Sequence, residues 1–159
     1  LPLNKENLNI FFIFTLQDNM MDNRHLNARS IMLVDDESID NFINEKIVKL
    51  SGFDGEVNIQ HGSIRALEYF KSIVADNRFT RLPDFMFLDI YMPLMDGYQF
   101  LDSLLLLSPV FQNIKVVILT ASVNPSDKER SQLYSQIVAH HQKPLTSEIL
   151  NELNINGNT

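Results

Sequence analysis

From Ser30 onward the chain alternates short apolar runs with amphipathic stretches. "SIMLVDD" reads as a buried strand that ends in two acids. "SIDNFINEKIVKL" then carries Ile39, Phe42, Ile43, Ile47 and Leu50 at helical spacing, with Ser38 placed as N-cap and Gly52 as the stop. "EVNIQHG" is a thinner strand with Val57 and Ile59 on one face, and "SIRALEYFKSIV" is a second helix. After the polar loop Asp76–Asp84 comes a third strand, "FMFLDI", and a helix, "MDGYQFLDSLLLL", which Asp96 caps with Gln99 three residues on. "KVVILT" is a fourth strand. "NPSDKERSQLYS" opens a fourth helix with Asn124 as cap and Pro125 in its first turn. "QIVAHH" is a fifth strand, and "TSEILNEL" a last short helix capped by Thr146.

Five strand–helix units in a row, with strands apolar on both faces, predict an α/β fold. Its core is a doubly wound five-stranded parallel sheet covered by helices on both sides. The expected domain spans residues 30–154, with 1–29 an N-terminal extension and 155–159 a polar tail. Residues 1–19 look foreign to the domain, and Met20 or Met21 is the expected native start. The apolar stretch Leu8–Leu16 is too short to span a bilayer and no small-residue cleavage site follows it. No second domain is expected after the fifth helix.

Composition narrows the function classes. With 13 basic and 20 acidic residues and a net charge of -7, the chain is repelled by phosphate backbones and anionic membranes, so neither nucleic acid nor membrane is an expected partner. The absence of cysteine excludes disulfides and thiolate metal sites and fits a reducing, cytoplasmic setting.

A parallel sheet sends every strand's C-terminal end to one edge, where ligands bind. Strand one ends in Asp35-Asp36, strand three in Asp89, strand four in Thr120, and strand five leads into Lys143-Pro144. Three carboxylates at one edge repel one another, and a hard divalent cation such as Mg2+ removes the conflict. Cation, lysine and hydroxyl together suit a phosphoryl group, and a carboxylate can itself be the nucleophile. Asp89 is the best candidate for that role. Asp96 is explained as a helix cap, and Glu37 as a solvated neighbour. His140 and His141 fall on opposite faces of a strand and cannot easily chelate one ion.

The pieces "IMLVDDES", "FLDIYMPLMDG", "VVILTAS" and "HQKPL", in this order and each at a strand end, resemble the receiver domain of response regulators in two-component signal transduction, of the stand-alone single-domain type. The resemblance implies a flavodoxin-like (βα)5 fold with strand order 2-1-3-4-5. It implies that Asp36 binds Mg2+ directly and Asp35 through water, that Asp89 is both phosphoacceptor and metal ligand, and that the Tyr91 backbone carbonyl completes the set. Thr120 is then the switch hydroxyl, Ala121 the small residue that leaves room for the donor, and Lys143 the phosphate-pairing lysine before a cis proline. A histidine kinase or phosphotransfer protein is the implied donor. A downstream protein is the implied partner, on the face of the fourth helix, fifth strand and fifth helix, and a phosphorylation-dependent dimer is a further implication.

Two positions depart from the family's pattern. His140 stands where an aromatic switch residue is usual, so its coupling to Thr120 has a smaller, titratable ring to work through. Tyr91 is bulkier than is usual at its position and is expected to shield Asp89 from water. One alternative is a degenerate receiver acting as a phosphorylation-independent binding module. Another is a phosphatase of the haloacid-dehalogenase type, which would need a second acid where Tyr91 stands.

Overall fold

The computed structural model describes residues 28–155. The proposed start at Met20 or Met21, the Leu8–Leu16 stretch, and most of the expected extension and tail lie outside them. Five strands, β1 (Ser30–Asp35), β2 (Glu56–His61), β3 (Phe85–Leu88), β4 (Lys115–Thr120) and β5 (Ile137–Gln142), form one parallel sheet in the order β2-β1-β3-β4-β5. The helices are α1 (Ser38–Leu50), α2 (Ser63–Ala75), α3 (Gly97–Leu107), α4 (Pro125–Ser131) and α5 (Ser147–Glu152), with short 3-10 turns at Phe79–Arg81 and Pro109–Asn113. This is the flavodoxin-like arrangement expected from the sequence.

The apolar strand runs are continuous because both sheet faces are covered. Met32, Val34, Met86, Leu88, Val116 and Ile118 face α2 and α3, where Phe70, Phe100 and Leu101 close the layer. Ile31, Leu33, Phe85, Phe87, Val117 and Leu119 face α1 and α5, represented by Val48, Ile149 and Leu150. Ala28 and Ile155, which the sequence assigns to the extension and the tail, are buried in this second layer.

The caps on the later helices are as read. The Asp96 carboxylate accepts from the Gln99 backbone N–H at 2.7 Å while the Gln99 side chain accepts from the Asp96 N–H at 2.9 Å. Asn124 accepts from Ser126 N–H, and Thr146 from Ile149 N–H.

The first helix corrects the sequence reading twice. Its N-cap is Glu37, not Ser38, and makes no side-chain cap bond. The Asp35 carboxylate accepts from the Glu37 N–H at 2.9 Å, so the turn before the helix is closed by the strand's own last residue. Its inward face is Asn41, Asn44 and Val48, whereas Ile39, Phe42, Ile43 and Leu50 are exposed. The reason is local. The helix starts against polar backbone at the sheet's edge, and Asn41 Nδ2 donates to the Asp35 carbonyl at 2.8 Å. A buried carbonyl left without a donor is costly, and this requirement overrides the apolar periodicity.

Candidate functional site

The C-terminal edge of the sheet gathers the acids. β1 and β3 are adjacent, with Val34 level with Leu88, and the Asp89 N–H donates to the Val34 carbonyl at 3.0 Å. Asp35 and Asp89 therefore leave two neighbouring strands at the same height. Asp35, Asp36 and Asp89 each offer a carboxylate oxygen within 4.8 Å of the others'. Asp35 and Asp89 are buried and Asp36 is half-buried. An oxygen-only set with part of its perimeter open suits Mg2+.

Asp89 is held from two sides. Its Oδ1 accepts from the Ile90 N–H at 2.7 Å, and its Oδ2 from the Lys143 ammonium at 2.9 Å. The turn after it is pinned by Gly97. A Cβ on Gly97 would come within 2.5 Å of the Asp89 carbonyl oxygen, so only glycine allows α3 to start this close. The Gly97 N–H donates to Ile90 O at 2.8 Å.

Lys143 follows β5, and its peptide bond to Pro144 is cis. Its ammonium lies 2.6 Å from Asp35 Oδ2, 2.7 Å from Asp40 Oδ2 and 2.9 Å from Asp89 Oδ2. Burial alone would push this ammonium toward deprotonation. The hydrogen bonds it donates to Asp35, Asp40 and Asp89 override it and hold the group above the usual lysine range. At Asp35 burial wins instead: it outweighs the lysine's pull and raises the carboxyl. Four carboxylates and one ammonium leave the cluster with an excess of negative charge, which a divalent cation would offset.

The remaining sequence candidates are placed as follows. Thr120 ends β4, fully buried, and its hydroxyl oxygen accepts from the Ser122 N–H at 3.2 Å rather than engaging Asp89. Its carbonyl accepts from the Lys143 N–H at 2.9 Å, which ties the ends of β4 and β5 together. Ala121 is exposed. His140 points to α4, where Nδ1 lies 2.9 Å from Ser131 Oγ, while His141 points the other way, 3.9 Å from Glu152 of α5. Burial lowers the His140 imidazole below its ordinary value. Tyr91 is 57% exposed, and its hydroxyl donates to the Asp127 carboxylate.

Two acids escaped the sequence reading. Asp40 lies on the first turn of α1, and its place four residues after Asp36 was the only signal of it. Asp127 lies in the first turn of α4, in a run of polar residues that gave no signal at all.

The family model described as "Response regulator receiver domain" matches residues 31–153. The chain belongs to this family. Solved structures agree with the placement of this receiver. A two-component response regulator from Cytophaga hutchinsonii is 26% identical, with a TM-score of 0.66, over 80% of this chain and 95% of that one. A response regulator receiver protein from Dyadobacter fermentans is 27% identical, with a TM-score of 0.65, over 78% and 93%. The Mn(2+)-bound form of response regulator Rcp1 shares the fold at 24% identity, with a TM-score of 0.62, over 80% and 89%. A search of the curated proteins gives no match. Among the described residues of the receiver, no helix is long and apolar enough to cross a membrane.

Proposed function

We propose that this receiver takes a phosphoryl group on Asp89 from a histidine kinase or phosphotransfer protein and thereby switches its affinity for a protein partner. The observation that carries the reading is the pairing of the Asp89 carboxylate with the Lys143 ammonium inside a triad of acid oxygens. Asp35, Asp36, Asp89 and the Tyr91 carbonyl would hold Mg2+, which supplies positive charge to the phosphoryl oxygens when bound.

An Asp89 oxygen attacks the phosphorus of a phosphohistidine. The O–P bond forms as the N–P bond breaks, and the imidazole leaves and takes up a proton. The Ile90 N–H fixes the second carboxylate oxygen, so the nucleophile needs no reorientation. Lys143 already touches Asp89 and so lies beside any group attached there. Thr120 must exchange its bond to the Ser122 N–H for one to the new phosphoryl group, which moves the loop ahead of α4. The face of α4, β5 and α5 would carry this change to a partner. A phosphorylation-independent binding module is not favoured, because the acids and the lysine are all in place.

Incubation with labelled acetyl phosphate tests the reading. Wild-type protein takes up base-labile, hydroxylamine-sensitive label with Mg2+ and not with EDTA, and Asp89→Asn takes up none. Label retained on Asp89→Asn would overturn the assignment.

A further inference from the structure

Gln136, the residue before β5, is 5% exposed, and neither the oxygen nor the nitrogen of its side-chain amide has a hydrogen-bond partner among the described residues. An amide carries two donors and an acceptor, and buried ones are rarely left empty. The same residue is a wall of a cleft of about 370 Å³, inside the range of roughly 300–1,000 Å³ usual for ligand sites. Asp102 and Leu105 of α3, Gln112 of the 3-10 turn before β4, and Leu133 and Tyr134 of the α4–β5 connection form much of the rest. Gln112 and Gln136 both precede their strands, so the cleft lies at the N-terminal edge of the sheet, opposite the acid cluster. It owes nothing to the phosphoacceptor reading.

The cleft has one fixed wall and one open one. The Tyr134 ring stacks on buried Tyr98 at 5.5 Å between centroids, and its hydroxyl donates to Asp102 Oδ1 at 3.0 Å. Leu133 is 82% exposed and offers apolar surface. Asp102 makes no ion pair among the described residues, so its charge stays available at the rim. A glutamine that served only the core would be costly here, because burying an unpaired amide destabilises the native state. An ordered water bonded to the amide is the structural alternative, and it predicts the opposite change in stability below.

We propose that this cleft binds a short extended peptide segment of another protein, with Gln136 as the group that reads its main chain. A change of rotamer turns the Gln136 amide into the cleft it borders, a movement common at interfaces. In an extended chain one residue's own N–H and C=O point to the same side, and together they match the oxygen and NH2 of a side-chain amide. An apolar side chain of the segment packs on Leu105 and Leu133, and a basic one meets Asp102. A small free amide offers the polar match without these two contacts.

The test titrates the 15N-labelled full chain with a leucyl-arginine dipeptide, acetylated at one end and amidated at the other, and follows the Gln136 side-chain N–H signals by NMR. A saturable shift with a Kd in the low millimolar range is expected. The capped leucyl-glutamate dipeptide should bind about two- to fivefold more weakly, the worth of an ion pair at a rim. Gln136→Leu should weaken the leucyl-arginine probe at least about tenfold, the worth of two hydrogen bonds, and should raise the urea midpoint by removing the unpaired amide. Leu133→Ala, at an exposed position where folding is not at issue, should also weaken it. No saturable shift at Gln136, a Gln136→Leu affinity within about twofold of wild type, or equal binding of isobutyramide overturns the peptide site. A lowered urea midpoint for Gln136→Leu overturns it too, because the amide would then be bonded in the free protein as a structural group.

Discussion

Replacing Asp89 by asparagine should leave the metal-free protein as stable as wild type or more so. The three acids lie within 4.8 Å of one another, and two unit charges at that distance repel by roughly 3.5 kcal/mol at an effective dielectric constant of about 20. Neutralising Asp89 removes two such repulsions, about 7 kcal/mol. It forfeits the attraction of the Lys143 ammonium at 2.9 Å, about 6 kcal/mol on the same scale. The asparagine oxygen can still accept from the Ile90 N–H; its amide nitrogen cannot accept from Lys143, whose ammonium keeps Asp35 and Asp40 as partners. The balance is near zero on the favourable side, about 1 kcal/mol, or on the order of 3 °C in Tm for a domain of this size.

Magnesium reverses the order. A ligand at a hundred times its Kd stabilises the native state by about 2.7 kcal/mol, and the variant has lost one of the three carboxylates that would bind it. Urea or thermal unfolding of both proteins, in EDTA and in excess Mg2+, reads all four values. A loss of several kcal/mol by Asp89→Asn in EDTA would refute the reasoning, because Asp89 would then be a structural partner of Lys143 and not the surplus charge of a metal site.

Further predictions concern the neighbouring acids and the histidine. Asp36→Asn should weaken Mg2+ binding by more than about tenfold and Asp40→Asn by less, since Asp40 serves Lys143 and not the triad; calorimetric titration measures both. Burial lowers the folded-state His140 imidazole, so below its ordinary value of about 6.5 the unfolded chain binds more protons and native stability falls as pH falls. The urea midpoint of wild type should therefore drop between pH 7.5 and 5.5, and His140→Gln should flatten that slope. Equal slopes would show that His140 titrates alike in both states.

How legible each part was depended on whether it broke a local pattern. The strands and the rim acids were legible because Asp35, Asp36 and Asp89 each interrupt an apolar run where the chain must leave the sheet. The orientation of α1 was not. Ile39, Phe42 and Ile43 advertise an apolar face, yet Asn41 and Asn44 turn inward, because the backbone at the end of β1 needs a donor that periodicity cannot reveal. Asp40 was hidden by the same rotation. Asp127 was invisible for a different reason. In "NPSDKERS" every polar side chain reads as solvated, and only the fold brings Tyr91 and Ser122 to it.

The level pairing of β1 with β3 has a consequence for how this site tolerates change. The distance between Asp35 and Asp89 is measured out by the peptide ladder, with strands about 4.8 Å apart, and not by any particular side chain. Core residues behind the two acids can therefore be exchanged without re-spacing them. Sliding one strand by a single residue would send one of the acids to the opposite side of the sheet and empty the site in one move.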